Sequence, residues 1–106
     1  MRQWEIWKPR PPGFERDHWF VLISPQERLD SPRHVQVNGL ACFTLRGSPL
    51  KTDVRLNSAD GFEAATVCQC DLLYFLTKSQ LHEQLGSVCW ERQQLIKARV
   101  KEVFRL

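Results

Sequence analysis

Residues 51–57 read KTDVRLN, with Thr52, Val54 and Leu56 alternating against Lys51, Asp53 and Arg55. Successive side chains of a strand point to opposite faces, so this pattern makes one face apolar and the other wet. That is the signature of an antiparallel sheet, because the strands of parallel sheets are usually apolar on both faces. Residues 3–8 (QWEIWK) keep the same period, with Trp4, Ile6 and Lys8 on one side and Gln3, Glu5 and Trp7 on the other. Pro9, Pro11, Pro12 and Gly13 interrupt it, and the segment through Asp17 reads as a semi-rigid surface flap, since proline fixes φ and removes an amide donor.

Residues 18–24 (HWFVLIS) are aromatic and β-branched and stop at Pro25, which fits a largely buried central strand; the PQERLDSPR that follows is turn chemistry. Between 34 and 45 the apolar alternation breaks at Asn38 and Gly39, predicting a bulge or a hairpin turn. Asp60 and Gly61 form another turn, and 64–76 reads as a strand followed by a bend. Thr77 with Gln80 has capping-box spacing, Leu81 and Leu85 lie four apart, and Gly86 suits a helix end, so a short helix is expected there. From 90 to 104, Ile96, Val100 and Val103, with Leu95 and Phe104 beside them, mark a helix that packs on the sheet while Lys97, Arg99 and Lys101 stay solvated.

The chain has 106 residues, 42% hydrophobic and 25% charged, which is the balance of one globular domain over 1–106 whose core closes without a metal or disulfides. Short strands followed by helices give an α+β, mainly β, class: an antiparallel barrel-like sheet with a C-terminal covering helix and a short helix before it. Fifteen Lys and Arg against twelve Asp and Glu leave +3, which permits a polyanion partner and excludes ribosomal levels of basicity. The apolar runs at 19–23 and 72–76 fall short of the ~20 residues of a membrane span, and MRQWEIWKPR lacks a signal-peptide core. A soluble cytoplasmic protein with reduced thiols and no membrane contact is expected. Cys68 and Cys70 share one side of a strand, but C-x-C without a second pair is poor zinc spacing, so buried free thiols and no metal are the expectation.

Taken in order, WEIW, HWFVLIS, LACFTLRG, DGFEAATVCQCDLLYFLTKSQL and LGSVCWERQQLIKARV resemble the PemK/MazF family of toxins from toxin–antitoxin pairs, over nearly the whole chain. The resemblance implies a small SH3-like antiparallel β-barrel shared with the gyrase-inhibiting toxin CcdB, a symmetric homodimer, and metal-independent cleavage of single-stranded RNA without a cofactor. It also implies a cognate antitoxin whose peptide occupies the RNA groove. By position, Thr44 matches the family's functional threonine and Asp71 the acid of its Cys-Asp step. The family's strand-two arginine falls on His18, an arginine two positions before the acid falls on Gln69, and the Gly-rich loop is shortened to Gly13, Phe14, Glu15 and Arg16.

Metal-free cleavage needs a base for the 2′-hydroxyl, donors for the charge that builds on phosphate, and an acid for the leaving 5′-oxygen. His18 suits acid or base duty in place of the arginine, because an imidazole can both give and take a proton, with Arg16 or Arg46 on the phosphate. Arg46, Lys51 and Arg55 suit a phosphate-tracking groove, with Trp19 or Phe14 to stack a base and Gln69 beside them. Each has a plainer alternative: His18 as the start of a strand, Thr44 as a β-branched strand residue, Asp71 as a turn former, and the basic residues as a solvated face. Two functions therefore stand open, a ribonuclease toxin and a barrel that kept the fold while acting only as a binding module. Interference with a topoisomerase is a third, resting on the shared fold alone.

Overall fold

The structure, a computed structural model, describes residues 1–9 and 18–106. The flap residues Gly13, Phe14, Glu15 and Arg16 lie outside the described residues. Seven antiparallel strands form one sheet: β1 (Glu5–Pro9), β2 (Trp19–Leu22), β3 (Gln36–Thr44), β4 (Asp53–Leu56), β5 (Thr66–Gln69), β6 (Tyr74–Thr77) and β7 (Leu81–Ser87). Two helices join them, α1 (Gln26–Asp30) and α2 (Trp90–Phe104). The strand order is β4-β5-β3-β2-β1-β7, and β6 pairs β3 off that path. The nine-residue β3 organises the sheet, since Gln36–Gly39 pair with β6 and Cys42–Thr44 with β5 along one edge while β2 covers the other.

β2 is central, as its composition predicts, because its two faces feed two cores. Val21 joins Ile6, Leu40, Val54, Leu56, Cys68 and Ile96 under α2, whereas Phe20 and Leu22 join Leu29 of α1, Val37, Ala41 and Leu76. The clean alternation at 51–57 is realised in β4, where Val54 and Leu56 are buried and Arg55 is exposed.

Asn38 and Gly39 do not break β3. The strand is unbroken over Gln36–Thr44, and Gly39 sits where a Cβ would come within 2.6 Å of Leu76 Cδ1, so the missing side chain makes room for a neighbour's. The PQERLDSPR segment contains a one-turn helix, α1, that buries Leu29.

The helix expected from Thr77 to Gly86 is a 3-10 turn (Lys78–Gln80) followed by the strand β7. Pairing with β1 satisfies backbone groups that a helix would have left open on that edge. Two register shifts in the pairing turn Leu81 and Leu85 apart, so Leu81 packs on the Phe20 core and Leu85 on the Ile6 core. Their spacing of four was not one helical face.

The sheet does not close into a barrel. Between the outermost strands β4 and β7 the gap is filled by the 3-10 turn Ser58–Asp60 and Gly61, whose backbone lies against β7: a Cβ on Gly86 would meet the Asp60 carbonyl at 2.6 Å. Asp60 is 1% exposed. Its Oδ2 accepts from Asn57 N at 3.0 Å and its Oδ1 from Cys89 N at 2.9 Å, while Arg92 Nε stands 3.3 Å away. Cys89 supplies no side-chain cap to α2, and Asp60 anchors the start of that helix from outside. Ile96 is buried as expected; Leu95 and Phe104 are 52% and 40% exposed, because the contact stripe turns about Ile96 and leaves its flanks at the surface.

Candidate RNA groove

β3 and β4 are both antiparallel to β5 and flank it, so the segment 45–52 that joins them crosses β5. A groove of about 750 Å³ opens against this crossover, lined by Arg46, Ser48 and Leu50 from the crossover, by Phe43 and Thr44 from β3 and by His18 just before β2. Trp19, Asp53, Phe62 and Thr66 also contribute. The alternation that puts strand residues opposite one another explains the gathering: Trp19 faces Cys42, and Thr44 faces Thr66, one step from Phe43 against Val67.

Thr44 is exposed at the end of β3, where Leu45 N binds Ala65 O at 3.0 Å and the chain leaves the sheet. Thr66 directly opposite is buried, its hydroxyl donating to Ala64 O at 2.9 Å. His18 is half-buried just before β2, its ring 5.2 Å from that of Phe43 with the planes tilted by 56°. Arg46 is exposed beside Gly47, whose φ of 73° reverses the crossover in a conformation that glycine adopts without strain. Trp19 is part of the groove wall, but Lys8 Nζ lies 4.7 Å from its ring centroid and the ring packs on the core, so one face is already engaged. Lys8 is itself 3.6 Å from Glu83.

The remaining sequence candidates stand elsewhere. Lys51 is exposed at the end of the crossover, and its carbonyl accepts from Arg99 Nη1. Arg55 is exposed on β4 opposite Val67, and Gln69 is half-buried on β5 opposite Asp53. Asp71 is exposed in the bend between β5 and β6. None of these four lines the groove. Thr66, Phe43, Ser48 and Asp53 were missed by sequence reasoning; the signal for the first two was the register of β3 with its neighbours, and for the last two the crossover, neither of which has a local motif.

Cys42, Cys68 and Cys70 are buried free thiols, and Cys89 is partly buried. The adjoining Cys42 thiol and burial hold the Cys68 thiol well above the ordinary thiol range, and Cys68 and burial do the same for Cys70. Such thiols are poor nucleophiles and poor metal ligands. Among the described residues no group of three or more His, Cys, Asp or Glu is placed to hold a metal ion. No helix is long and apolar enough to cross a membrane.

No family model matches the sequence, and no curated protein matches it. Solved structures do match in shape. An endoribonuclease from a mycobacterial species, solved with its cognate antitoxin, superposes with a TM-score of 0.83 at 18% identity over 100% of this chain and 96% of that one. The Mycobacterium tuberculosis toxin MazF-mt6 gives 0.80 at 17% identity over 96% and 97%. MazF in a MazE–MazF complex from Deinococcus radiodurans gives 0.78 at 12% identity over 100% and 96%. The resemblance carried by five short sequence segments thus extends to the whole chain path: this protein has the fold of the MazF-type toxins.

Proposed function

We propose that this protein is the toxin of a toxin–antitoxin pair, a cytoplasmic endoribonuclease that cleaves single-stranded RNA by metal-independent transesterification. The observation that carries the reading is the groove that gathers His18, Thr44 and Arg46 on a MazF-type fold. In this reading the 2′-oxygen attacks the adjacent phosphorus, a 2′,3′-cyclic phosphate forms, and the P–O bond to the 5′-oxygen breaks. The proton from the 2′-hydroxyl goes to a base and a proton reaches the 5′-oxygen from an acid. His18 performs one of these transfers, the Thr44 hydroxyl donates a hydrogen bond to a non-bridging oxygen, and the Arg46 guanidinium balances the charge there. The second transfer falls to solvent or to Asp71, which the bend holds outside the groove lining. Arg16 stays a candidate phosphate contact on the flap.

The partners in this reading are RNA, an antitoxin peptide in the same groove, and a second copy of the chain. The copy is supported by exposed apolar residues in and just before β6, Leu72, Leu73 and Phe75, of which Phe75 is 76% exposed on a strand that among the described residues pairs with β3 alone. The positions of Lys51, Arg55, Gln69 and Asp71 away from the groove favour the second reading, a binding module with weakened catalysis. Induced expression separates the two. A toxin arrests growth and leaves RNA cut at repeated sites, and co-expression of an adjacent antitoxin gene relieves it; a binding module lets growth continue with RNA intact.

A further inference from the structure

Asp53 opens β4 and lines the groove with both carboxylate oxygens accounted for differently. Oδ2 accepts from Leu50 N at 2.9 Å, and Asp53 N returns a bond to Leu50 O at 3.1 Å, so the crossover fixes the orientation of the carboxylate. Arg99 of α2 holds the same place from behind, donating to the carbonyls of Lys51 and Asp53. Oδ1 is buried and meets no donor among the described residues. An acceptor left unpaired in this way is unfavourable, and more so when charged, which marks Oδ1 as an acceptor for a donor that the described residues do not supply.

The position of Asp53 along the groove says which donor. In the register of β4 with β5, Asp53 stands opposite Gln69 while Thr66, the partner of Thr44, stands opposite Leu56, three residues further along β4. At the rise of a strand this is about 10 Å. The groove is therefore polarised: hydroxyl and guanidinium at the Thr44–Arg46 end, carboxylate at the other. A phosphate is held at the first end by the Thr44 hydroxyl and the Arg46 guanidinium, so the nucleotide lies with its base toward Asp53. Oδ1 is buried, Asp53 lines the groove, and the crossover residues 46–51 are all exposed, so what separates a base from Oδ1 on the crossover side is solvated chain and not core.

We infer that Asp53 is a specificity-determining residue, whose Oδ1 accepts an N–H from the exocyclic amino group of a base, so that the groove prefers amino-bearing bases and disfavours uracil. Uracil offers that carboxylate a single N–H between two carbonyl oxygens, which repel it, whereas cytosine and adenine project an amino group at the edge. The inference rests on the RNA-groove reading above and deepens it.

The test uses fluorescent 2′-O-methyl oligonucleotides, which lack the nucleophile and so report binding alone. Oligo(C) and oligo(A) are expected to bind the full-length protein about tenfold more tightly than oligo(U). An oligonucleotide of 2-pyrimidinone, which is cytosine without its amino group, is expected to fall to the oligo(U) level, and this arm needs no variant. Asp53→Asn keeps an acceptor for Leu50 N and is expected to reduce the ratio to within about threefold, while the salt dependence, which counts phosphate contacts, stays as in the parent. A tenfold ratio that survives Asp53→Asn, or 2-pyrimidinone binding as well as cytosine, overturns the inference and leaves the RNA groove standing. Absence of binding to every oligonucleotide overturns the RNA-groove reading, and the inference with it.

Discussion

Replacing Asp60 by alanine tests how the open seam of the sheet is held. The carboxylate is fully buried, and three groups depend on it: the amides of Asn57 and Cys89 at 3.0 and 2.9 Å and the guanidinium of Arg92 at 3.3 Å. Alanine leaves two partly buried amides without an acceptor, at about 1 kcal/mol each because water reaches them in part, and strands a cation that is 24% exposed at another ~1–2 kcal/mol. The sum, about 3–4 kcal/mol, is a large share of the ~5–15 kcal/mol that holds a domain of this size together. It corresponds to a fall in Tm on the order of 15–30 °C. Urea and thermal unfolding followed by circular dichroism measure it, with Arg92→Met as the control. That variant removes the cation and keeps both amide bonds, so it is expected to cost about 1 kcal/mol or less, since a carboxylate that accepts two amides remains satisfied. A loss below 1 kcal/mol for Asp60→Ala, or equal losses for the two variants, would refute the assignment of Asp60 as the anchor of α2.

Three further outcomes follow from the same geometry. Gly86→Ala drives a Cβ against the Asp60 carbonyl, which is backbone and cannot swing away, so unfolding measurements should show a loss of about 1–3 kcal/mol. The raised thiols make stability fall at alkaline pH: the folded state keeps Cys68 and Cys70 protonated, so their contribution is complete below the unfolded thiol value of 9.0 and is lost as pH rises beyond it. The urea midpoint should therefore drop between pH 8.5 and about 10.5, less steeply in Cys70→Ala, and at neutral pH a thiol reagent should label Cys89 long before the other three. Arg46→Ala should weaken RNA binding and reduce the slope of log K against log salt by about 0.7, one phosphate contact on a single strand, with an unchanged slope placing Arg46 in solvent alone.

What the sequence disclosed follows from which interactions are local. The 51–57 alternation, the aromatic run of β2 and the helical stripe about Ile96 are each set by burial along one element, and each appears in the structure where the pattern places it. The strand β7 was not legible, because its two register shifts arise from pairing with β1 and nothing within LHEQLGS announces a partner 72 or more residues earlier. Gly39 was misread for a related reason: the side chain it makes room for, Leu76, belongs to another strand. The groove shows the same division. His18, Trp19, Thr44 and Arg46 were found as residue types and meet in one place, whereas Asp53 and Thr66 are defined by cross-strand register and by the crossover over β5. Asp60 looked like a turn residue and is one, but its second use, bonding Cys89 across the seam, depends on the fold closing around it.

The most direct measurement incubates the purified protein with a long single-stranded RNA in the presence of EDTA and identifies the new ends, with His18→Ala and Thr44→Val run alongside. The account predicts 2′,3′-cyclic phosphate and 5′-hydroxyl ends from the parent and a loss of about 10²-fold or more in the His18 variant. Intact RNA with a folded parent protein, or undiminished cleavage by both variants, would contradict it.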